Sequence, residues 1–345
     1  MLENSAVDPL AMAPDVILQG VLDGVHITAD ASRATVLDRK VAADSPREMK
    51  RLLAAALYEG IHAGMHVGET PPRLRDADLE AQLVAAVPVR TVRVRLPVLS
   101  PPQTAPGSDS RHVLVGLAGV RVWVPEADVH PASATDGAGV PTVSGTSAPG
   151  TSVPGTSVPG IADVVLPAVR PAVSPGFLFV DRCPAQGGQI QRVYVNVIGS
   201  DHAPAVWGAV LEHLENAEVP FRAKVLSAKD LYPRRDAVVV YLQQQYAAAA
   251  RTLVGAIAGL NGVGADVSRF AAQIGPGVAM AAEPRDDRQG MQGLSFGEHR
   301  ATVLATALVE SAATPHERPA RARAALLEAG IDPFDLSRNL PGPTP

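Results

Sequence analysis

The sequence predicts an α+β fold, with a mainly antiparallel sheet flanked by helices and a smaller N-terminal portion of helices and strands. After residue 175, segments with alternating apolar residues and segments with helical spacing follow each other irregularly, which is typical of this class. All aromatic residues except Tyr58 and Trp123 lie from Phe177 onward, and large rings dominate core burial. Hydrophobic residues make up 46% of the chain, which is enough for a sizeable core.

Four portions are predicted along the 345 residues. They are an N-terminal helical and strand portion at 1–130, a linker at 131–175, the main portion at 176–330 and a flexible tail at 331–345. The linker is predicted to be disordered because residues 146–160 contain three successive copies of the pentapeptide TS[AV]PG. Proline and glycine in every copy interrupt both helices and strand ladders.

Local spacing predicts the N-terminal elements. Ser45, Pro46 and Glu48 have the arrangement of a helix start, with a capping residue, a proline at the first helical position and a glutamate three residues after the cap. The predicted elements are helices at 45–66 and 76–87, a strand at 89–96, and a hairpin formed by 112–117 and 120–124.

Denser patterning after residue 175 predicts the main sheet and the helices that cover it. Period-two alternation of valine and leucine indicates half-buried strands, and apolar residues three and four apart indicate helices. The predicted strands span 176–182, 191–198, 221–226, 237–242 and 277–282. The predicted helices span 203–217, 243–260, 298–312 and 316–329.

Composition indicates a cytoplasmic protein. A net charge of −5 gives no general preference for nucleic acid or for an anionic membrane. The one cysteine, Cys183, excludes an internal disulfide and agrees with a reducing compartment. The N-terminus lacks the pattern of a signal peptide, and no apolar run approaches the ~18 residues of a membrane span.

The sequence predicts no metal and no cofactor. It has no Walker A loop, no GxGxxG after a strand and no GxSxG elbow. His62 and His66 have the spacing of two zinc ligands on one helix, but the third ligand and the glutamate of HExxH are missing. His62 is instead a candidate substrate contact, with Tyr58 one turn earlier on the same side. Packing in the core is the other interpretation.

Strand alternation places Arg192, Tyr194 and Asn196 on one face of a strand and three valines on the other face. Three hydrogen-bonding side chains in line on an otherwise apolar strand suit an anionic or amide-bearing ligand. The alternative is an ordinary exposed face of the sheet.

Lys224 lies between Ala223 and Val225 in an apolar strand. Only four lysines occur among the 30 basic residues, so a lysine that is present is a candidate for a specific role. A lysine removed from water has a lowered pKa, as a general base requires. The alternative is that its ammonium group reaches the surface.

Two further motifs carry arginines. Tyr232, Arg234 and Asp236 lead into the strand at 237–242, and a pair of arginines there can grip a phosphate. A structural Arg234–Asp236 ion pair is the competing interpretation.

The second motif begins with Ser295 and Glu298, which have the spacing of a capping box. His299 and Arg300 then fall in the first helical turn, where free N–H groups favour an anion. His299 is therefore a candidate general acid, and a plain surface histidine is the alternative.

The ordered series GFLFV, R-x-Y-x-N, F-R-A-K, Y-P-R-R-D-x-x-V-x-Y and S-F-G-E-H-R resembles the HopA-type type III effector family. The resemblance covers most of 176–311, and the upstream helix from Leu57 to His62 is also similar. Members of this family also occur beside kinase-like proteins in class V lanthipeptide and thioamitide biosynthesis. The resemblance therefore implies a phosphoserine/phosphothreonine lyase that acts on a ribosomal precursor peptide.

This function implies partners and roles. The implied partners are the phosphorylated precursor peptide, a kinase-like protein and a cyclase component. We assign Lys224 as the base that removes the Cα proton and His299 or Tyr194 as the acid. The predicted phosphate clamp and substrate contacts are Arg192, Arg234, Arg300, Asn196, Tyr232 and His62.

Two other functions fit the same residues. One is a non-catalytic partner of the kinase-like protein that binds a phosphopeptide, a phosphopantetheine arm or a leader peptide. The other is an effector that acts on a host target. A binding protein needs the arginines but needs no acid–base pair.

Overall fold

The computed structural model describes residues 14–65, 72–117, 119–132, 160–182 and 188–341 of the chain. These residues form helices α1 (Pro14–Asp23), α2 (Pro46–Leu57), α3 (Ala77–Ala85), α4 (Ala203–Asn216), α5 (Ala247–Ile257), α6 (Phe296–Glu310) and α7 (Arg318–Glu328). A single stretch of π-helix, Tyr58–Ala63, continues α2. Within these ranges, no helix has both the length and the apolar character needed to cross a bilayer.

Sixteen strands accompany the helices in the described residues. The N-terminal strands are β1 (Val25–Ile27), β2 (Arg33–Val36), β3 (Arg39–Ala42), β4 (Thr91–Pro97), β5 (Gln103–Thr104), β6 (Arg111–Leu117), β7 (Val120–Pro125) and β8 (Val129–Pro131). The others are β9 (Ile161–Pro167), β10 (Val169–Ser174), β11 (Phe177–Asp181), β12 (Ile190–Val197), β13 (Phe221–Leu226), β14 (Arg234–Gln243), β15 (Ala272–Gly275) and β16 (Val278–Ala282).

The main sheet has seven strands in the order β10-β11-β13-β14-β12-β16-β15. Every neighbouring pair in it is antiparallel. Three small three-stranded sheets, β1-β2-β3, β4-β9-β8 and β5-β6-β7, lie in the earlier part of the chain. The predicted α+β class with a mainly antiparallel sheet is therefore confirmed.

The two faces of the main sheet contact different cores. Val193, Val195 and Val197 point into a cluster that includes Trp207 of α4. Tyr194, on the opposite face of β12, belongs to a second cluster with residues of α2 and α6. The predicted alternation along this strand is confirmed, and the second face is covered by helices over part of its area.

The second cluster joins residues that lie far apart in the sequence. Leu53 and Leu57 of α2 pack with Phe296 and Leu304 of α6. The start of α2 is the predicted one, because the side chain of Ser45 accepts a hydrogen bond from the Glu48 N–H at 3.2 Å. Helix α2 thus lies over the same sheet face as α6, and both helices border the site described below.

The predicted linker is wrong at its C-terminal end. Residues 161–174 form β9 and β10, and β9 pairs with both β4 and β8. Val164 and Leu166 are buried there, which stabilises the strand despite the nearby prolines. Pro167 ends β9, while β10 is the edge strand of its sheet and tolerates a proline. The three pentapeptide copies lie outside the described residues except for Gly160, the last residue of the third copy.

The predicted flexible tail is also wrong over 331–341. Ile331 and Leu336 are buried, and Ile331 forms an isolated antiparallel bridge with Asn339. The Leu340 N–H donates to the carbonyl of Gly330 at 2.8 Å. This segment therefore folds back on the protein after α7.

Candidate functional site

A cavity of about 360 Å³ lies on the face of the main sheet that α2 and α6 leave partly uncovered. Its lining is mostly polar and comes from the end of α2, from the main sheet and from the segment leading into α6. The side chains that matter below are Tyr58 after α2, Phe177, Arg192, Lys224 and Tyr241 on the sheet, and Glu283, Asp286, Ser295 and Glu298 on the segment leading into α6.

Lys224 is the cation without a carboxylate partner in this cavity. No carboxylate oxygen of the described residues lies within 4.0 Å of its Nζ, which sits 3.9 Å from the centroid of the Phe177 ring. Burial lowers the pKa of Lys224 to about 8; Asp236 opposes the shift, and Arg192 adds to it. A desolvated lysine was predicted from the apolar strand, and it faces the cavity.

Arg192 reaches the cavity as half of an ion pair. Its Nη2 donates to Glu283 Oε1 at 2.5 Å, and its Nε donates to the other oxygen of the same carboxylate. The guanidinium carbon lies 5.0 Å from the centroid of the Tyr241 ring, its cross-strand neighbour. Glu283 occupies the edge of the guanidinium formed by Nε and Nη2, and Nη1 has no partner among the described residues, so Nη1 can donate to a ligand.

Arg234 forms the structural ion pair that was the competing interpretation. Its Nε and Nη2 donate to the two oxygens of Asp236, both at 2.7 Å, and both side chains are buried. Nη2 also donates to the Tyr58 hydroxyl at 2.8 Å, which in turn donates to Asp236 at 3.2 Å. Arg234 therefore holds the Tyr58 hydroxyl through a hydrogen bond and does not line the cavity.

His62 is a core histidine. It is 2% exposed, and its Nδ1 lies 2.7 Å from the Ser268 hydroxyl. Its ring is packed edge to face against Tyr194, with 5.1 Å between centroids, and Gly297 leaves room for it because it has no side chain. Burial lowers the pKa of His62 to about 4, although Asp236 acts in the other direction. The packing interpretation is the one observed.

Tyr194 does not reach the cavity either. It is 3% exposed, and its hydroxyl has no hydrogen-bond partner among the described residues. Burial raises the pKa of this hydroxyl, since the phenolate would lack solvent. The predicted acid is thus enclosed between the sheet and α6.

His299 and Arg300 lie behind the cavity wall. His299 is fully buried; its Nε2 is 2.9 Å from Asp286 Oδ2, and its Nδ1 accepts from Arg300 Nη1 at 2.9 Å. Burial lowers the pKa of His299. Arg300 is also fully buried and donates to the carbonyl of Leu336 at 3.0 Å. Neither the acid role nor the clamp role is supported, because neither side chain lines the cavity.

Asn196 and Tyr232 make contacts within the protein. Asn196 Nδ2 donates to the carbonyl of Asp266 at 2.8 Å. The Tyr232 hydroxyl donates to the carbonyl of Leu226 at 2.7 Å. Both hold loops at the ends of strands, and neither lines the cavity. Of the nine predicted site residues, the structure brings together Lys224 and Arg192.

Sequence reasoning missed the acidic side of the site. Glu283, Asp286 and Glu298 line the same cavity as Lys224, and Tyr241 lies beside Arg192. The run EPRDDR directly after the strand at 277–282 was the available signal. Within the described residues, no group of three His, Cys, Asp or Glu side chains is arranged to hold a metal ion. His66 is not among those residues.

The fold and cavity define an α+β protein whose main antiparallel sheet carries an unpaired lysine and an ion-paired arginine on one face. The sequence profile of the HopA1 effector protein family matches residues 168–338, and this part of the chain belongs to that family. The match confirms the resemblance seen in the ordered motifs. Tyr58 lies outside the matched segment, so the cavity also uses a residue from upstream.

Two solved structures are similar to this chain. They are the effector proteins from Pseudomonas syringae pv. syringae strain 61 and from Pseudomonas syringae pv. tomato strain DC3000. Each is 16% identical with a TM-score of 0.38, and the similarity covers 48% of this chain and 63% of the other. No curated protein sequence matches the chain.

Proposed function

We propose that this protein is a phosphoserine/phosphothreonine lyase that eliminates phosphate from a ribosomal precursor peptide in lanthipeptide-type biosynthesis. The observation that carries the proposal is that Lys224 faces a polar cavity with a lowered pKa and, among the described residues, with no carboxylate partner. The family resemblance supplies the reaction class. The product is dehydroalanine from phosphoserine or dehydrobutyrine from phosphothreonine.

In the proposed reaction, neutral Lys224 takes the proton from Cα of the phosphorylated residue. The electron pair of the C–H bond forms the Cα=Cβ double bond, and the Cβ–O bond breaks with its electrons on the phosphate oxygen. Phosphate and a protonated Lys224 result, so atoms and charge balance without a cofactor. The enzyme's task is to place the base and to neutralise the leaving group.

Arg192 is the proposed phosphate contact. Its Nη1 is available to donate while Glu283 keeps the other edge of the guanidinium in place. The N-terminus of α6 also borders the cavity at Ser295, where the first free N–H groups of a helix favour an anion. Tyr58 and Tyr241 both line this cavity, and burial raises the pKa of both hydroxyls, so both stay protonated. They replace the enclosed Tyr194 as candidate acids.

The proposal is tested by mass spectrometry of a phosphorylated candidate precursor peptide after incubation with the protein. We expect loss of phosphoric acid from the peptide, by this protein alone or after addition of the kinase-like partner. A peptide whose mass stays unchanged under both conditions contradicts the lyase.

Arg192→Lys is expected to lower kcat/KM about 10²–10³-fold, the cost of losing one donor to a developing anion. Lysine keeps the charge but cannot hold Glu283 and a phosphate at once. The matched control is Arg222→Lys on β13, which lies two strands from β12 and carries Arg222 on the same face of the sheet. Arg222 pairs with Asp181 at 2.6 Å and does not line the cavity, so we expect a change within about twofold. Equal losses in both variants contradict the assignment.

A second candidate function is a non-catalytic partner of the kinase-like protein that binds a phosphopeptide, a phosphopantetheine arm or a leader peptide. The burial of Tyr194 and His299 favours it, since neither predicted acid meets a ligand. A binding protein retains phosphopeptide affinity and shows no loss of phosphoric acid in the experiment above.

A further inference from the structure

We propose that Asn339 is a positioning residue for the cavity, and that residues 336–339, the C-terminal clasp, hold the acidic wall of the cavity in place. The wall is the segment 283–295, which carries Glu283 and Asp286 and leads into α6. The effect of Asn339 on substrate binding rests on the proposed function. Its effect on the position of residues 283–295 does not.

The first connection runs from the clasp to Glu283. Asn339 Nδ2 donates to the backbone carbonyl of Glu283 at 2.6 Å, and the N–H of Ala282 donates to the carbonyl of Ser337 at 2.8 Å. The clasp thus fixes the backbone at the start of the wall. The side chain of the same Glu283 holds Arg192, so the position of this backbone decides where the guanidinium meets a ligand.

The second connection runs to Asp286 through buried side chains. Asn339 Oδ1 accepts from Arg300 Nη2 at 2.8 Å, and Arg300 Nη1 donates to His299 Nδ1 at 2.9 Å. Because Nδ1 of His299 accepts, its Nε2 carries the proton and donates to Asp286 Oδ2 at 2.9 Å. Arg300 also binds the carbonyls of Leu336 and Arg338, which secures both ends of the clasp.

One amide is therefore connected to both Glu283 and Asp286 of the wall. Its nitrogen fixes Glu283, and its oxygen takes part in the chain of bonds that ends at Asp286. Lys224 lies on β13, between β11 and β14, and among the described residues it forms no hydrogen bond or ion pair with the clasp. Loosening the clasp should reduce the fraction of molecules with a binding-competent wall while leaving the base in place. That raises KM and spares kcat.

The test measures steady-state elimination and backbone hydrogen exchange over 283–295 in the full chain. We expect Asn339→Ala to raise KM about tenfold, as when only a tenth of the molecules have a competent wall, with kcat within about twofold. Exchange over 283–295 should become faster. Asn339→Asp should act in the same way, since it keeps an acceptor for Arg300 but places a second acceptor against the Glu283 carbonyl. If Asn339→Ala does not fold, Asn339→Asp provides the test.

Arg338→Ala is the matched control. Its side chain is 74% exposed and pairs with Asp335, while its backbone carbonyl still accepts from Arg300. We expect its KM and its exchange to equal those of the wild type. Wild-type KM and exchange in both Asn339 variants overturn the proposal, and so does a fall in kcat at constant KM. If the wild type releases no phosphate, the proposed function fails, and the exchange measurement still decides whether the clasp holds the wall.

Discussion

Lys224→Ala is expected to lower kcat for phosphate elimination about 10²–10⁴-fold, the usual contribution of a positioned general base. The side chain stands over Phe177. The carboxylates that line the same cavity are engaged elsewhere: Glu283 with Arg192, Asp286 with His299 and Glu298 with the N–H of Ser295. Truncation removes one buried amine and leaves the ion pairs of Arg192 and Arg234 in place. Mass spectrometry of the peptide over time gives the rate.

Lys224→Arg separates a lyase from a binding protein. Arginine keeps the positive charge but does not lose its proton in this pH range, so it cannot act as the base. We expect phosphopeptide affinity to survive and elimination to disappear. Lys229→Ala is the control, because Lys229 is half-exposed and lies 3.5 Å from Asp76 outside the cavity. Full activity in Lys224→Ala would remove the base assignment.

The pH dependence follows from the same residue. Burial lowers the pKa of Lys224 from 10.5 to about 8, and the neutral amine is the active form. kcat/KM should therefore rise with pH up to about 8 and level off above it. Arg192 contributes to the lowering of this pKa, so the midpoint in Arg192→Ala should move to higher pH. A profile that falls as pH rises through 8 contradicts a lysine base.

Strand alternation was enough to predict much of the main sheet, because the period of two is a property of each strand alone. The core of valines on β12 and the desolvated Lys224 on β13 both follow from it. The site was predicted less well, since alternation shows which face a side chain occupies but not which partner it meets. Arg192 binds Glu283, which lies 91 residues later in the chain.

The arginines show that a local sequence motif does not reveal whether a side chain is buried or which partner it binds. Arg234 and Arg300 each occur in a motif that suits a phosphate clamp, yet both are buried and donate to partners within the protein. Removing a guanidinium group from water costs several kcal/mol of free energy unless it gains hydrogen bonds or an ion pair, so a buried arginine indicates a partner. For Arg300 that partner is the segment after α7, which was predicted to be a flexible tail.

Asp236→Ala is expected to lower the free energy of unfolding by about 3–5 kcal/mol, the cost of breaking a buried ion pair from one side. Arg234 would keep its charge under α2 with the Tyr58 hydroxyl as its remaining side-chain partner. Urea unfolding followed by circular dichroism measures the difference. The double variant Arg234→Met with Asp236→Leu removes both charges and should recover most of the loss. An equal or larger loss in the double variant would show that the pair itself stabilises the fold.

An exposed ion pair provides the comparison. Lys50 and Glu310 lie 2.8 Å apart with side chains 35% and 42% exposed. Lys50→Ala should cost less than about 1 kcal/mol, because water already solvates both charges. A cost near that of Asp236→Ala would mean that burial is not the cause of the larger effect.

The difference in unfolding free energy between the wild type and Asp236→Ala should depend on pH. Burial alone would raise the pKa of Asp236, but the charge and hydrogen bonds of Arg234 bring it well below the usual range. The carboxylate therefore stabilises the fold fully above the unfolded-state pKa of about 4, and this contribution is lost as pH falls toward the lower folded-state pKa. Since the variant lacks that contribution, the difference in unfolding free energy between the two proteins should shrink below pH 4. A difference that stays constant down to pH 2 would show that lost packing, and not charge, destabilises the variant.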